Sequence, residues 1–171
     1  MTNFILIWMP WSGKTTIWKP LAKKLWMKII DFDDDIIEKK MWKSVWEVLS
    51  ELWEEKFLDL EEQLSCDIPL ANTILSTSGS VPLRKKAIDC LKKQGKIIYI
   101  NIPLSTIKTR LESMKVNRIV WMKNMTMHDI LVYRQKFDEN SYDYKFNTDW
   151  LGSKEEVFKE FWEWFQTLKL D

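Results

Sequence analysis

Glycine is scarce in this chain, 4 residues in 171, where ordinary usage of about 7% gives roughly 12. Cysteine is limited to Cys66 and Cys90. Their spacing makes neither a metal-binding pair nor a disulfide framework, so both are expected as reduced, buried thiols. Histidine occurs once, at His128, which excludes a histidine-based metal cluster and reads as a surface helix residue. Charge of one sign is also missing: the formal net charge is +1, so no strong field points toward nucleic acid or an anionic membrane. No apolar stretch reaches the roughly 18–20 residues a membrane helix needs. Asn3 leads into a short apolar run rather than a secretory leader. These absences predict one cytoplasmic domain of ordinary size, acting as a monomer without nucleic-acid or membrane partners.

Tryptophan is abundant instead, with 11 residues, and many stand where a turn or helix stop is expected. Trp26 follows Ala22-Lys23-Lys24-Leu25, Trp42 follows Lys39-Lys40-Met41, and Trp150 closes Asn147-Thr148-Asp149. A lysine-rich last turn followed by glycine is a normal helix ending, because glycine accepts the left-handed C′ conformation. Tryptophan accepts it at a cost, so substitution at glycine positions explains the placement better than an ordinary Trp-rich core or interface. Trp162 and Trp164 fit an amphipathic C-terminal helix, and Trp46 fits a helix opened by the capping box Ser44/Glu47.

Apolar and amphipathic runs alternate along the chain. The pattern predicts strands at 4–8, 28–32, 72–76, 96–102 and 144–147. Helices are expected at 13–25, within 34–64, and at 82–94, 104–112, 126–141 and 153–169. Pro82 is read as a helix start and Gly95 as the residue past that helix's end. Ser153 with Glu156 forms a second capping box, and Thr126 with Asp129 a related cap. Strands apolar on both faces, separated by helices, imply a parallel sheet covered on both sides. Right-handed crossovers narrow the topology to an α/β nucleotide-binding architecture. The last helix is expected to pack on the sheet; a partner-binding face is the alternative reading.

The chemistry-bearing segment lies at Trp8-Met9-Pro10-Trp11-Ser12-Gly13-Lys14-Thr15-Thr16. Between a strand and a helix, G-x-x-x-x-G-K-[ST] cradles phosphates on backbone amides and a helix N-terminus. Gly13, Lys14 and Thr15 are in register, and Trp8 takes the first-glycine place. Ser12, Gly13, Lys14, Thr15 and Thr16 are therefore the expected nucleotide-binding residues. Lys14 would neutralise the β- and γ-phosphates and Thr15 would ligate Mg²⁺. After the second strand, Asp31 and Asp33 could hold Mg²⁺ through water and take a proton from a substrate hydroxyl. Asp34 and Asp35 are equally well read as residues favouring the next helix's N-terminus. The small-residue turn Ser76-Thr77-Ser78-Gly79-Ser80-Val81 could present amides to a polar ligand, or be a plain surface turn. Lys115, Arg118 and Lys123 lie in an irregular stretch suited to a mobile lid, or to simple solvation. Arg134 could grip a carboxylate with its planar fork, against a default of surface arginine.

Together these pieces resemble the shikimate kinases over nearly the whole chain. The parts that match are the early phosphate loop, the Asp31-x-Asp33 pair, the turn at 76–81, the Arg118-Ile119-Val120 segment and the late Arg134. The resemblance implies a three-layer phosphate-loop kinase fold over residues 1–171, with substrate-binding helices at about 34–64 and a lid at about 112–125. It implies transfer of the ATP γ-phosphoryl to the 3-hydroxyl of shikimate with Mg²⁺, in aromatic amino-acid synthesis. By that resemblance Lys14, Asp33 and Arg118 are catalytic, Arg110 lies on the adenine side, and Asp33, Gly79 and Arg134 bind substrate. Thr15 and Asp31 hold the metal.

The departures are equally specific. Family glycines are expected at Trp8, Trp11, Trp18, Trp26, Trp42, Trp53, Trp121 and Trp150. Leu58 stands where many members carry a second substrate-binding arginine, and Asp138 where tyrosine is common. An extra residue between Asp33 and Trp42 leaves Asp34 as a rival for the site carboxylate. A non-glycine residue in a left-handed position costs roughly 1–2 kcal/mol, and overpacking a close contact about 1–3 kcal/mol. Strain at half of eight such sites reaches on the order of 10 kcal/mol, against total stabilities of about 5–15 kcal/mol. The expected protein is thus a shikimate-kinase-like enzyme by ancestry, severely impaired or inactive because Trp8 and Trp11 disrupt the loop. Two alternatives are another small-molecule kinase of this fold, favoured by Leu58, and a non-catalytic protein that uses tryptophans as interface anchors.

Overall fold

The computed structural model describes residues 2–9, 12–112, 127–138, 141–149, 152–168 and 170. Of residues 110–112, 127 and 138 it describes the backbone only. Five strands form a single parallel sheet: β1 (Asn3–Trp8), β2 (Lys28–Asp31), β3 (Thr73–Ser76), β4 (Gly95–Asn101) and β5 (Tyr144–Asn147), in the spatial order β2-β3-β1-β4-β5. Register is fixed by pairs such as Ile5 with Leu75 and with Ile97, and Ile98 with Tyr144. The helices are α1 (Thr15–Leu25), α2 (Lys39–Met41), α3 (Val45–Asp67), α4 (Lys85–Lys92), α5 (Leu104–Glu112), α6 (Met127–Asp138) and α7 (Lys154–Thr167).

Alternation along β1 divides the core between the two faces, as period-2 geometry requires. Ile5 and Ile7 join Leu75, Ile97 and Tyr99 under α3 and α4, together with Phe57, Leu64, Ile88 and Leu91. Phe4, Leu6 and Trp8 join Ile98 and Phe146 under α1 and α7. There Phe161 and Trp164 pack on Phe146 with ring centroids 5.2 Å apart in each case, so the last helix covers the sheet. Both capping boxes are present: Ser44 with Glu47 opens α3, and Ser153 with Glu156 opens α7.

Four local expectations are corrected. The stretch after β2 is a π-helical segment, Phe32–Glu38, that runs directly into α2. Pro82 lies in a separate 3₁₀ turn, Val81–Leu83, ahead of α4. Gly95 begins β4, and its constraint is close approach: a Cβ there would lie 2.4 Å from the Asn3 carbonyl oxygen. Cys66 and Cys90, expected as free thiols, are joined in a disulfide between α3 and α4. Two cysteines on different helices carry no spacing signal for that pairing, which only packing creates. His128 is exposed, as expected.

Three of the described tryptophans, Trp26, Trp42 and Trp53, hold backbone conformations that favour glycine. Positive φ occurs at Trp26 (53°), Trp42 (54°) and Trp53 (63°). Trp26 and Trp42 are left-handed C-caps of α1 and α2, and the N–H groups of Trp26 and Met27 both return to the Ala22 carbonyl. Trp53 interrupts α3 with ψ 165°, a backbone region that only glycine adopts readily. At about 1–2 kcal/mol for each left-handed residue, and about 1–3 kcal/mol for Trp53, the three carry strain on the order of 5 kcal/mol. Trp8 and Trp18 show no positive φ; they are buried. Trp11, Trp121, Trp150 and the Thr126 cap lie outside the described residues.

Candidate functional site

In an open parallel sheet, ligands gather beyond the strand C-termini where successive connections leave in opposite directions. Here that point lies between β1 and β3. The chain leaves β1 toward the β2 edge and leaves β3 across β1 toward β4. The topology therefore brings together the loop after β1, the acidic segment after β2 and the small-residue turn after β3. No sequence pattern alone could place these segments side by side.

Gly13 holds φ 84°, which turns the chain into α1, and no side chain among the described residues caps that helix. Its N-terminus is left available to an anion. Ser12 is buried and its hydroxyl has no partner among the described residues. The Lys14 ammonium reaches the carboxylates at the end of β2: Nζ lies 3.1 Å from Asp31 Oδ2 and 3.7 Å from Asp33 Oδ2. Trp8 lies behind it, with Nζ 5.6 Å from the indole centroid. Thr15 is exposed at the first turn.

Asp31 is fixed from three sides. It accepts from Lys14, from the Asp33 N–H and from the Ser76 hydroxyl. Asp33 is different. Burial pushes its carboxyl up to about 6 despite the neighbouring Lys14, and its buried Oδ1 has no partner among the described residues. Asp34 points to solvent, so Asp33 is the carboxylate that faces the loop lysine. Asp35 is a local cap: it accepts from the Asp31 N–H and from Lys39, and Lys39 holds its carboxyl below the ordinary value.

Across from this group lies a residue absent from the predicted set, Glu61. It is fully buried and accepts from the hydroxyls of Ser78 and Ser80. Burial pushes its carboxyl up to about 7, with the Asp33 charge adding to the rise and Arg134 opposing it. Its Oε2 has no partner among the described residues. The signal was present: Phe57, Leu58, Glu61, Leu64 and Ser65 share the buried stripe of α3, so a carboxylate at 61 breaks an inward face. Arg134, expected either as an anion ligand or as a surface residue, is 4% exposed and donates to the Gly79 carbonyl at 3.4 Å. Leu58 is buried. Lys14, Asp31, Asp33, Gly79 and Arg134 therefore converge on one end of the sheet. The Arg110 side chain and Arg118, with most of the expected lid, lie outside the described residues.

A lysine-bearing loop at a helix N-terminus, facing two aspartates across a five-stranded parallel sheet, defines a phosphate-loop kinase fold. Within that class the chain belongs to the shikimate kinase family: the family model for shikimate kinase matches residues 10–166. A shikimate kinase from Clostridium botulinum (strain Eklund 17B / Type B) is 34% identical over 80% of this chain and 80% of its own length. Threonine synthase-like 1 of Macaca fascicularis is 36% identical over 91% of this chain, which spans only 21% of that longer relative. Among solved structures, shikimate kinase from Acinetobacter baumannii in complex with shikimate aligns with a TM-score of 0.83, covering 100% of this chain and 96% of that one at 21% identity. That likeness establishes the shared fold. Among the described residues no helix is long and apolar enough to cross a membrane.

Proposed function

We propose that this domain is built to transfer the γ-phosphoryl of ATP to a hydroxyl of shikimate or a similar small hydroxy acid. We further propose that tryptophan at positions 8 and 11 leaves the chain with little or no such activity. The observation that carries the reading is the convergence of Lys14, Asp31 and Asp33 at the uncapped N-terminus of α1, opposite Glu61 and Arg134.

In this reading the backbone of residues 12–16 binds the phosphates, and Lys14 offsets the charge that builds on them. The oxygen donors of Thr15 and Asp31 fit a magnesium ion and would hold it. Such an ion takes much of its shell from water and substrate phosphates. Bound there, magnesium would neutralise charge on the β- and γ-phosphates. Asp33 accepts the acceptor hydroxyl's proton as the new P–O bond forms and the bond to the ADP oxygen breaks. A carboxyl raised to about 6 is ionised at neutral pH, yet more basic than an ordinary aspartate. Arg134 holds the acceptor's carboxylate, Arg118 supplies the cation of a lid over 112–125, and Arg110 lies against the adenine.

The buried Leu58 beside Glu61 favours a second reading, in which the acceptor is a hydroxy compound other than shikimate. A phosphoryl-transfer assay over a panel of hydroxy acids, polyols and nucleosides tests both, using the chain and its Trp8→Gly/Trp11→Gly variant. The variant should phosphorylate one class with Mg-ATP at least tenfold faster than the parent. Transfer to shikimate supports the first reading, and transfer to another class the second. No transfer by the variant to any of them would sink the kinase proposal.

A further inference from the structure

The described tryptophans divide by the backbone on which they stand. Trp46, Trp162 and Trp164 have ordinary helical backbone; Trp162 stacks on Phe165 and Trp164 packs tilted against Phe146. Trp26, Trp42 and Trp53 are the reverse, with positive φ and side chains 89%, 90% and 70% exposed. At Trp26 and Trp42 little packing offsets the backbone strain. The remaining described non-glycine residue with positive φ is Asn72, a residue type that tolerates it. Trp8 takes the first-glycine place of the phosphate loop. Trp18 buries an indole N–H that has no acceptor among the described residues. Random substitution would scatter tryptophans over the surface and the core. It would not collect them at left-handed caps and at a backbone conformation peculiar to glycine.

We infer that positions 26, 42 and 53 are glycine in the protein as its own cell makes it, inserted at UGA codons that this cell reads as glycine, and that position 8 joins them on the phosphate-loop pattern alone. A single cause of that kind accounts for the excess of tryptophan and the shortage of glycine together. UGA differs from the glycine codon GGA in its first base and shares a codon box with the tryptophan codon UGG. A glycine tRNA that reads UGA places glycine wherever a code assigning UGA to tryptophan would write Trp. The four glycines that remain then correspond to GGN codons, and Trp46, Trp162 and Trp164 to UGG. The backbone argument stands independently of the kinase proposal; the consequence at position 8, a phosphate loop able to bind nucleotide, rests on that proposal.

The direct test is peptide mass spectrometry of the protein isolated from its source cells, together with the gene's codons. The tryptic peptide 44–56 contains both kinds of position, so it should carry tryptophan at 46 and glycine at 53. Peptides 25–28 and 41–43 should carry glycine at 26 and 42. Tryptophan at 53 overturns the inference, and so does one codon shared by positions 46 and 53. As a second measure, Trp26→Gly/Trp42→Gly/Trp53→Gly should melt roughly 10–20 °C above the tryptophan chain; an equal or lower Tm argues against the assignment. If the glycine peptides and the higher Tm are found but the glycine protein binds no Mg-ADP, the kinase proposal fails and this inference holds.

Discussion

Replacing Glu61 with glutamine is expected to stabilise the fold at neutral pH, with the gain fading in acid. Glu61 is fully buried, and burial pushes its carboxyl from the ordinary 4.5 to about 7. The folded state therefore prefers the protonated form. That preference is fully present below pH 4.5 and is lost as pH rises through about 7. Each pH unit in that window removes about 1.4 kcal/mol, so ionisation of this side chain costs about 3 kcal/mol of native stability by pH 8. Glutamine keeps the oxygen that accepts from Ser78 and Ser80 and has no proton to lose. Urea unfolding followed by circular dichroism, at steps from pH 4.5 to 8, measures the difference between the two proteins. It should grow from near zero to about 3 kcal/mol in favour of the variant, or roughly 6–12 °C in Tm for a chain of this size. Asp33, raised in the same direction, leaves a residual slope in both proteins. A variant less stable at pH 8, or a difference that does not change with pH, would refute the reasoning.

Three further outcomes follow from the same geometry. Because the Lys14 charge pulls the Asp33 carboxyl down against burial, Lys14→Met should move the Asp33 titration upward from about 6, as read by carboxyl-carbon NMR. Gly95→Ala should lower stability by about 1–3 kcal/mol in denaturant unfolding, since the new Cβ meets the Asn3 carbonyl at 2.4 Å and must push β1 and β4 apart. Reducing the bond between Cys66 and Cys90, separated by 24 positions, should cost about 3 kcal/mol on the loop-entropy account, seen as a lower Tm with dithiothreitol than without.

Most of the architecture could be read from the chain because period and caps agreed. The β1 run and the Ser44/Glu47 and Ser153/Glu156 boxes each specify one local structure, and the fold satisfies all of them together. The π-helical turn over 32–38 could not be read. Phe32 and Ile37 are buried at a spacing equally compatible with an ordinary helix, and consecutive aspartates add no periodic signal. Lys14 can be singled out by its spacing from Gly13, and Asp31 and Asp33 by their place at the end of an apolar strand; the fold brings the three together. Glu61 was overlooked since a glutamate among Asp59, Glu62 and their neighbours looks like solvated surface until the helix phase is tracked. The disulfide was invisible because its partners meet only after α3 packs on α4. The left-handed tryptophans were legible through their context: the lysines before Trp26 and Trp42 mark helix ends whatever residue follows.

The most direct test of the account is thermal unfolding by circular dichroism with and without saturating Mg-ADP, on the chain and on Trp8→Gly/Trp11→Gly. A ligand at a hundredfold excess over its Kd stabilises the native state by about 2.7 kcal/mol. The account predicts no shift for the tryptophan chain and an upward shift of roughly 5–10 °C for the glycine variant. An equal shift in both would contradict the claim that these two tryptophans close a phosphate site.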